Sequence, residues 1–200
     1  MLSNIFRQPA LSWTGMQARK QASHARIVEA ASRLLRLRGE GGVSVDTVMA
    51  EAGLTRGGFY AHFRDKGALV GEALRAAFDE AAHNLRLDDE LEGEAFLERA
   101  LRVYLSRGHL EHSEAGCAVP SLAGEVARAE PEVRATFTAG LRGMIDGVAR
   151  RLGGPKARAR ATVLLVSMIG AVAVARAVDD PELGDEILST MRSALRKAVR

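Results

Sequence analysis

The chain contains 200 residues, of which 47% are hydrophobic, 26% are charged and one, Cys117, is a cysteine. This composition suits a protein with a sizeable buried core, and a single cysteine excludes an internal disulfide framework and favours a reducing compartment, which we expect to be the cytoplasm. The net charge of +3 is uneven, because residues 1–67 contain 10 Lys and Arg against 5 Asp and Glu. This basic excess suits either a nucleic-acid-binding region or an ordinary solvated surface.

At the N-terminus, residues 1–22 are predicted to form an irregular arm. An alternative start at Met16 would remove residues 1–15 from the native protein. The N-terminus has no basic start followed by an apolar block, so we expect no signal peptide. The longest uncharged run, residues 161–175, has 15 residues. It is shorter than the roughly 20 residues that span a bilayer, so we expect a buried helix there and no membrane contact.

The rest of the chain is predicted to be all-α, with about nine helices. Long segments without proline are rich in Ala, Leu, Arg and Glu, and alternating β-branched runs are scarce. The helices are expected at about 23–38, 45–52, 55–63, 66–85, 95–107, 119–128, 131–152, 156–178 and 181–199. Pro131, Pro155 and Pro181 are expected at the first position of the last three helices, where the missing N–H costs nothing. The acidic residues 87–94 are predicted to form a surface link.

Residues 44–66 are predicted to form a helix-turn-helix. Ser44 and Thr55 are expected to cap its two helices, with the turn at Gly53. Phe59 and Phe63 are expected to anchor the second helix, which begins with two adjacent glycines and no acidic residue. Two glycines cost a helix about 1 kcal/mol each relative to alanine, so we expect a DNA backbone to approach there. The alternative is that the glycines pack beneath another helix.

Four side chains of this segment have a chemistry that suits DNA. Arg56 is placed to pair with guanine in the major groove. Tyr60 and His62 are expected to be exposed and to bind phosphate oxygens, as is Lys66. The alternatives are packing for Tyr60 and ordinary solvated positions for His62 and Lys66.

The segments RIVEAASRLLRLRG and SVDTVMAEAGLTRGGFYAHFRDKGALVGEAL, within residues 26–74, resemble the TetR/AcrR family of bacterial transcriptional regulators. The resemblance implies an all-helical homodimer with an N-terminal three-helix DNA-binding domain and a C-terminal domain for ligand binding and dimerisation. Such proteins usually repress transcription and leave a palindromic operator when a small molecule binds. One departure is Leu35, where the first helix of the family often has Phe.

The resemblance also implies roles for individual positions. Phosphate contacts would fall on Thr55, Tyr60, His62 and Lys66, and base contacts on Arg56, Gly57 and Ala61. The complete set of predicted DNA-binding residues is Ser44, Thr55, Arg56, Gly57, Gly58, Tyr60, Ala61, His62 and Lys66.

Three parts of the chain are therefore predicted. They are the arm (1–22), the helix-turn-helix DNA-binding domain (23–67) and the effector-binding and dimerisation domain (68–200). The homodimer is expected to form through the eighth and ninth helices, because small residues such as Gly170 and Ala173 permit close helix approach. The effector is an unidentified small molecule. Candidate residues for its pocket, each of which also suits an ordinary core, are Phe96, Tyr104, Cys117, Phe137, Met144 and Met168.

Cys117 has two further interpretations. A thiol beside Gly116 near a helix start is either a sensor of electrophiles or oxidants, or a buried small hydrophobic residue. The alternative function, from a different class, is a thiol-dependent helical enzyme that pairs Cys117 with His109 or His112. The sequence lacks a positioned acid, a glycine-rich phosphate loop and metal-ligand spacing, so we expect no enzyme, no cofactor and no metal.

Overall fold

The structure is a computed structural model that describes residues 13–84 and 90–199, and every regular element within them is helical. The all-α prediction is thus confirmed for this part of the chain. The predicted arm and the acidic link lie partly outside the described residues. The α-helices are α1 (Trp13–Arg38), α2 (Val45–Glu51), α3 (Lys66–Asn84), α4 (Gly93–Tyr104), α5 (Arg107–Glu111), α6 (Val119–Val126), α7 (Pro131–Leu152), α8 (Ala157–Ala177) and α9 (Pro181–Ala198), and the 3₁₀ helices are Arg56–Ala61 and Ser113–Ala115.

The first helix is longer than predicted. It was expected from Ser23 but begins at Trp13, so the predicted irregular arm is helical from that residue onward. The added residues include Met, Gln, Ala, Arg and Lys, all good helix formers. This segment has no row of apolar residues on one helix face, because exposed turns of a helix need none. The sequence pattern therefore did not predict a helix there.

The prolines mark two of the three expected helix starts. Pro131 and Pro181 are the first residues of α7 and α9, as predicted. The expectation for Pro155 was wrong, since α8 begins two residues later, after Lys156, which has a left-handed backbone with φ of 55°. A residue in that conformation cannot continue a helix backwards, so Pro155 stays in the preceding turn.

Buried side chains form two clusters. The first joins α1, α2 and α3 as far as Ala77 to α6, and includes Ile27, Leu34 and Leu35 of α1. Leu35 is 1% exposed, so leucine occupies the core position where the family often has phenylalanine. This cluster extends past residue 67 into α3, so the packing does not divide the chain at that residue. The predicted boundary between the DNA-binding and effector-binding domains stays a prediction.

The second cluster lies between α4, α7, α8 and α9. Phe78 of α3 and Phe137 of α7 pack against both clusters, with their ring centroids 5.8 Å apart. A ring from each of two helices therefore connects the N-terminal and C-terminal cores.

One described helix, α8, is long and apolar enough by length and composition to cross a bilayer, and a third of its most apolar 18-residue stretch is buried. Core helices of proteins outside membranes often have a similar length and composition. The apolar side chains that α8 leaves exposed include Val163, Val166 and Val174. These side chains form an unpaired apolar face on the described surface of the chain.

Candidate nucleic-acid interface and regulatory cavity

The helix-turn-helix begins with a short, well-capped helix. The Ser44 hydroxyl accepts a hydrogen bond from the Thr47 backbone N–H at 3.1 Å, which confirms the predicted cap of α2. Val48 and Met49 are buried beneath this helix. Gly53 then turns the chain with φ of +65°, a conformation that L side chains rarely adopt. This turn directs the following segment outward.

The second helix of the unit differs from its prediction. It was expected to be an α-helix over 55–63, but Arg56–Ala61 forms a six-residue 3₁₀ helix. The Gly58 N–H donates to the Thr55 carbonyl at 3.0 Å, and Thr55 makes no side-chain capping bond, contrary to expectation. Gly57 and Gly58 near its start have a low α-helix propensity, which suits a short and more tightly wound 3₁₀ helix.

Two aromatic rings hold this 3₁₀ helix to the core, as predicted. Phe59 is 0% exposed and Phe63 is 5% exposed. Their rings stack with centroids 5.7 Å apart, and the His24 ring of α1 stacks on Phe63 at 4.7 Å. His24 was not singled out from the sequence, because it lies 39 residues before Phe63 and no local spacing links them.

Most of the predicted DNA-binding residues are exposed. Gly58 and His62 are half-buried. The exposed members are Ser44, Thr55, Arg56, Gly57, Tyr60, Ala61 and Lys66. Tyr60 is 72% exposed, so its phenol projects into solvent and does not pack in the core.

His62 is more enclosed than predicted. It was expected to be exposed, but it is half-buried, and its Nδ1 has no hydrogen-bond partner among the described residues. Burial, followed by the charges of His24 and Lys20, lowers the pKa of His62. The imidazole is therefore neutral at pH 7, so it offers a phosphate a hydrogen bond and no positive charge.

Arg56 is not free of acidic neighbours, contrary to expectation. Its Nη1 lies 2.8 Å from Oδ2 of Asp46 on α2, in a pair whose side chains are 71% and 61% exposed. Both residues are in solvent, so this pair contributes little stability. The sequence showed Asp46 only as a helix-start residue, and its position beside Arg56 depends on the turn.

Neither glycine of the 3₁₀ helix is required by packing. A Cβ at Gly57 would meet nothing within 4 Å, and a Cβ at Gly58 would make an ordinary contact of 3.6 Å with Met49. The alternative that they pack beneath another helix is therefore not supported, least of all for Gly57. A bare backbone remains on the outer surface.

A cavity of about 820 Å³ lies between α3, α4, α7 and α8. Four predicted pocket residues line it, namely Phe96, Tyr104, Met144 and Met168. The other lining residues are Arg75, Phe78, Asp79, Ala81, Ala100, Ala135, Thr136, Ala139, Gly140, Gly143, Gly147, Val148, Arg151, Leu164 and Leu165. Those on α7 extend from Ala135 to Arg151, so the cavity follows about 24 Å of that helix.

Two predicted pocket residues do not line this cavity. Phe137 packs instead against Phe78, between the two cores. Cys117 is 1% exposed and belongs to the second core cluster. The sequence missed the small residues of α7, although a side chain at Gly140 would collide with the Phe78 ring. Helical spacing among Gly140, Gly143 and Gly147 was the available signal.

The environment of Cys117 does not activate its thiol. Burial raises the pKa of Cys117. His109 Nδ1 lies 2.7 Å from the Tyr104 carbonyl, to which it donates, and His109 Nε2 accepts the Cys117 backbone N–H at 3.1 Å. Both imidazole nitrogens are therefore engaged with the backbone, and neither serves as a base for sulfur.

The second histidine of the enzyme alternative lies apart from the thiol. His112 is exposed and its Nδ1 is 3.3 Å from Glu114 Oε1. The arrangement matches the interpretation of Cys117 as a small buried residue.

The comparisons with known proteins agree with the fold and with the N-terminal motif. A family profile described as "Bacterial regulatory proteins, tetR family" matches residues 27–73. A TetR transcriptional regulator from Chloroflexus aurantiacus J-10-FL is 22% identical with a TM-score of 0.74, over 91% of this chain and 96% of that one. Regulatory protein TetR from Rhodobacter sphaeroides is 22% identical with a TM-score of 0.71, over 88% and 97%.

A third solved structure, NemR of E. coli in its reduced form, is 20% identical with a TM-score of 0.68, over 88% of this chain and 95% of that one. At such identities these likenesses establish the fold. A comparison with curated protein sequences gave no match.

Proposed function

We propose that this chain is a TetR-family, DNA-binding transcriptional regulator and not an enzyme, and that it is a repressor that a small molecule releases from a palindromic operator. One observation carries the proposal: α3 extends from the predicted DNA surface to the cavity. Its first residue is Lys66, and Arg75, Phe78, Asp79 and Ala81 of the same helix line the cavity. A ligand that moves α3 would therefore move one end of the DNA-binding unit.

The DNA contacts are proposed from exposure and chemistry. Thr55, Tyr60 and Lys66 would bind phosphates, together with the neutral imidazole of His62. Arg56 would read a base after leaving Asp46, at small cost because the pair is exposed. Gly57, Gly58 and Ala61 would let the backbone approach the groove, and Ser44 would position the unit from the start of α2.

A second link joins the cavity region to the DNA-binding unit. Arg36 near the end of α1 is 5% exposed and donates from Nη2 to Glu80 Oε2 on α3 at 2.8 Å. Its Nε donates to the Glu114 carbonyl at 2.7 Å. Because a buried guanidinium is costly to leave unpaired, α1 should follow α3 when a ligand displaces it.

The homodimer is proposed to form through α8 and α9. On α8, Val163, Val166 and Val174 are 49%, 56% and 54% exposed, and Gly170 lies between them on the same face. Leu183 of α9 is 41% exposed. A second copy would cover these apolar side chains and place two reading segments about 34–36 Å apart, one turn of DNA. A DNA regulator of this kind would act in the cytoplasm.

The effector is proposed to be a largely apolar small molecule that occupies the cavity. Phe96, Leu164 and Met168 give it an apolar floor, and Arg75 and Arg151 place positive charge on its wall. Its volume falls within the range of small-molecule sites.

The test starts from purified protein and a pool of random duplex DNA. Repeated rounds of capture should enrich a palindrome, and binding to it should weaken with salt more steeply than binding to a neutral ligand. A thermal-shift screen then identifies compounds that raise Tm, and those compounds should release the palindrome. Enrichment of no sequence would overturn the proposal, as would compounds that stabilise the protein without changing its DNA affinity.

A further inference from the structure

Residues 16–22 of α1 are exposed and project past the core. Every one of these residues is exposed, and the first buried residue after them is Ile27. A helix rises about 1.5 Å per residue, so this segment extends about 10 Å along the helix axis. No described element covers it.

One face of this projecting segment continues the predicted DNA surface. His24 Nε2 lies 2.6 Å from Glu72 Oε1 on α3, and its ring lies 5.8 Å from the His62 ring. His24 also stacks on Phe63, which follows the 3₁₀ helix by two residues. The face of α1 that carries His24 therefore contacts the end of the helix-turn-helix. Lys20 is four residues earlier, which places it on that face and about one turn, roughly 6 Å, farther along.

Among the described residues, Lys20 is a cation without a partner. It is exposed, and no described residue forms an ion pair or hydrogen bond with its ammonium group. Other basic side chains nearby have partners, such as Arg33 with Glu51 and Arg64 with Glu132. The Lys20 charge also contributes to the lowered pKa of His62, in agreement with their proximity.

We propose that Lys20, carried by the projecting turns of α1, binds a DNA phosphate outside the segment read by the 3₁₀ helix. A lysine on a long flexible stem suits a phosphate contact, which adds affinity without reading sequence. The proposal rests on the DNA-binding function proposed above. It extends the interface of each subunit to the duplex that flanks the half-site.

Arg19 provides a matched control. It carries the same charge on the same turn, but five residues before His24 it lies about 140° away around the helix from that face. Lys20→Ala and Arg19→Ala both remove one exposed cation and introduce a good helix former, so both variants should fold.

The experiment measures operator affinity of both variants across a salt series, on a duplex with long flanks and on one trimmed to the half-sites. Lys20→Ala should weaken binding to the long duplex and reduce the salt slope by about 0.9 for each subunit, while Arg19→Ala should match the wild type. Trimming should remove the difference, because the contacted phosphate is then absent.

Equal behaviour of the two variants, or a Lys20→Ala defect of the same size on the trimmed duplex, would overturn this inference and leave the proposed function intact. Failure of the wild type to bind any duplex would overturn both.

Discussion

The Arg56 guanidinium, the principal candidate for base reading, lies 2.8 Å from the Asp46 carboxylate of the preceding helix. In the free protein, the residue that would face a guanine thus already has an anionic partner. The two side chains are mostly exposed, so a DNA base can replace Asp46 at little cost. Arg56 would read a DNA base, and Asp46 would compete with that base for the Arg56 guanidinium. Substitutions of Arg56 and of Asp46 can therefore separate the two effects.

Arg56→Ala should reduce discrimination between the selected operator and a scrambled duplex by about 1–3 kcal/mol, because a bidentate base contact is lost. Lys66→Ala should weaken binding to both duplexes evenly and lower the salt slope by about 1 for each subunit. Fluorescence anisotropy titrations on the two duplexes measure both effects. Equal losses on operator and scrambled DNA for Arg56→Ala would remove its base-reading role.

Asp46→Asn gives the complementary result. It removes a negative charge from the surface that approaches DNA, so affinity for both duplexes should rise by about 0.2–1 kcal/mol. The free energy of unfolding should fall by a similar amount, since Asp46 lies in the first turn of α2 and stabilises its N-terminus.

Gly57→Ala should leave the fold intact, because a Cβ there meets nothing within 4 Å and the glycine has no positive φ. DNA binding should weaken by about 1–3 kcal/mol if the backbone approaches the duplex closely at this point, since the added methyl group would overpack the contact. Gly41→Ala is the control, because a Cβ at Gly41 also meets nothing within 4 Å. Equal DNA affinity of both variants would contradict a close approach at Gly57.

Acidification should destabilise the C-terminal core through His109. Burial lowers the pKa of His109 from 6.5 to about 4. Between these values the unfolded chain binds a proton that the folded chain does not, so the free energy of unfolding falls as pH falls, by about 3 kcal/mol at pH 4.

Urea denaturation of His109→Gln between pH 7 and pH 4 should show a shallower pH dependence than the wild type. The exposed His112 offers the control, and His112→Gln should retain the wild-type steepness. A wild-type slope in His109→Gln would exclude His109 as the source.

Gly143→Phe should block the cavity without disturbing its walls. Gly143 is exposed on α7 and lines the cavity, and a Cβ at this position would meet no atom within 4 Å. Compounds that raise the Tm of the wild type should no longer do so in this variant, while operator affinity should be retained. Gly124→Phe on α6 is the control, because Gly124 is exposed and does not line the cavity. An undiminished Tm response in Gly143→Phe would place the compounds elsewhere.

Val166→Glu should separate the subunits, because a carboxylate in an apolar interface loses its hydration without a partner. Light scattering should report a monomer, and operator affinity should fall by about tenfold or more, because two linked half-sites no longer act together. Ala127→Glu is the control. It introduces the same charge at an exposed residue that directly follows α6, and it should leave the dimer intact. A dimeric Val166→Glu would exclude this face of α8 from the interface.

Features set by local chemistry were predictable from the sequence. Ser44 caps α2 as predicted, and Asp65 accepts from the Ala68 N–H at 2.7 Å at the start of α3. The anchoring role of Phe59 and Phe63 follows from the apolar positions of a short helix. Each of these depends on neighbours within a few residues, which a sequence displays directly.

Features set by distant partners were not predictable. The Asp46–Arg56 pair depends on the turn between two helices, and the His24–Glu72 contact joins residues far apart in the chain. The 3₁₀ geometry differs from an α-helix by a one-residue shift of hydrogen bonds, which composition does not resolve. Whether Phe137 faces the cavity depends on the rotation of α7, which the packing of Phe78 sets.

As the proposed reading element, the 3₁₀ helix would also limit how much sequence information one subunit can read. At about 2.0 Å per residue, the six residues Arg56–Ala61 extend about 12 Å, or roughly three to four base pairs. Three base pairs distinguish about 64 sequences, and the six base pairs read by two subunits distinguish about 4,000. A genome offers 10⁶ or more competing sites, so this number is too small to specify one of them. The remaining selectivity must come from the deformability of the DNA and from the fixed spacing of the half-sites, so mutations between the half-sites should matter as much as those within them.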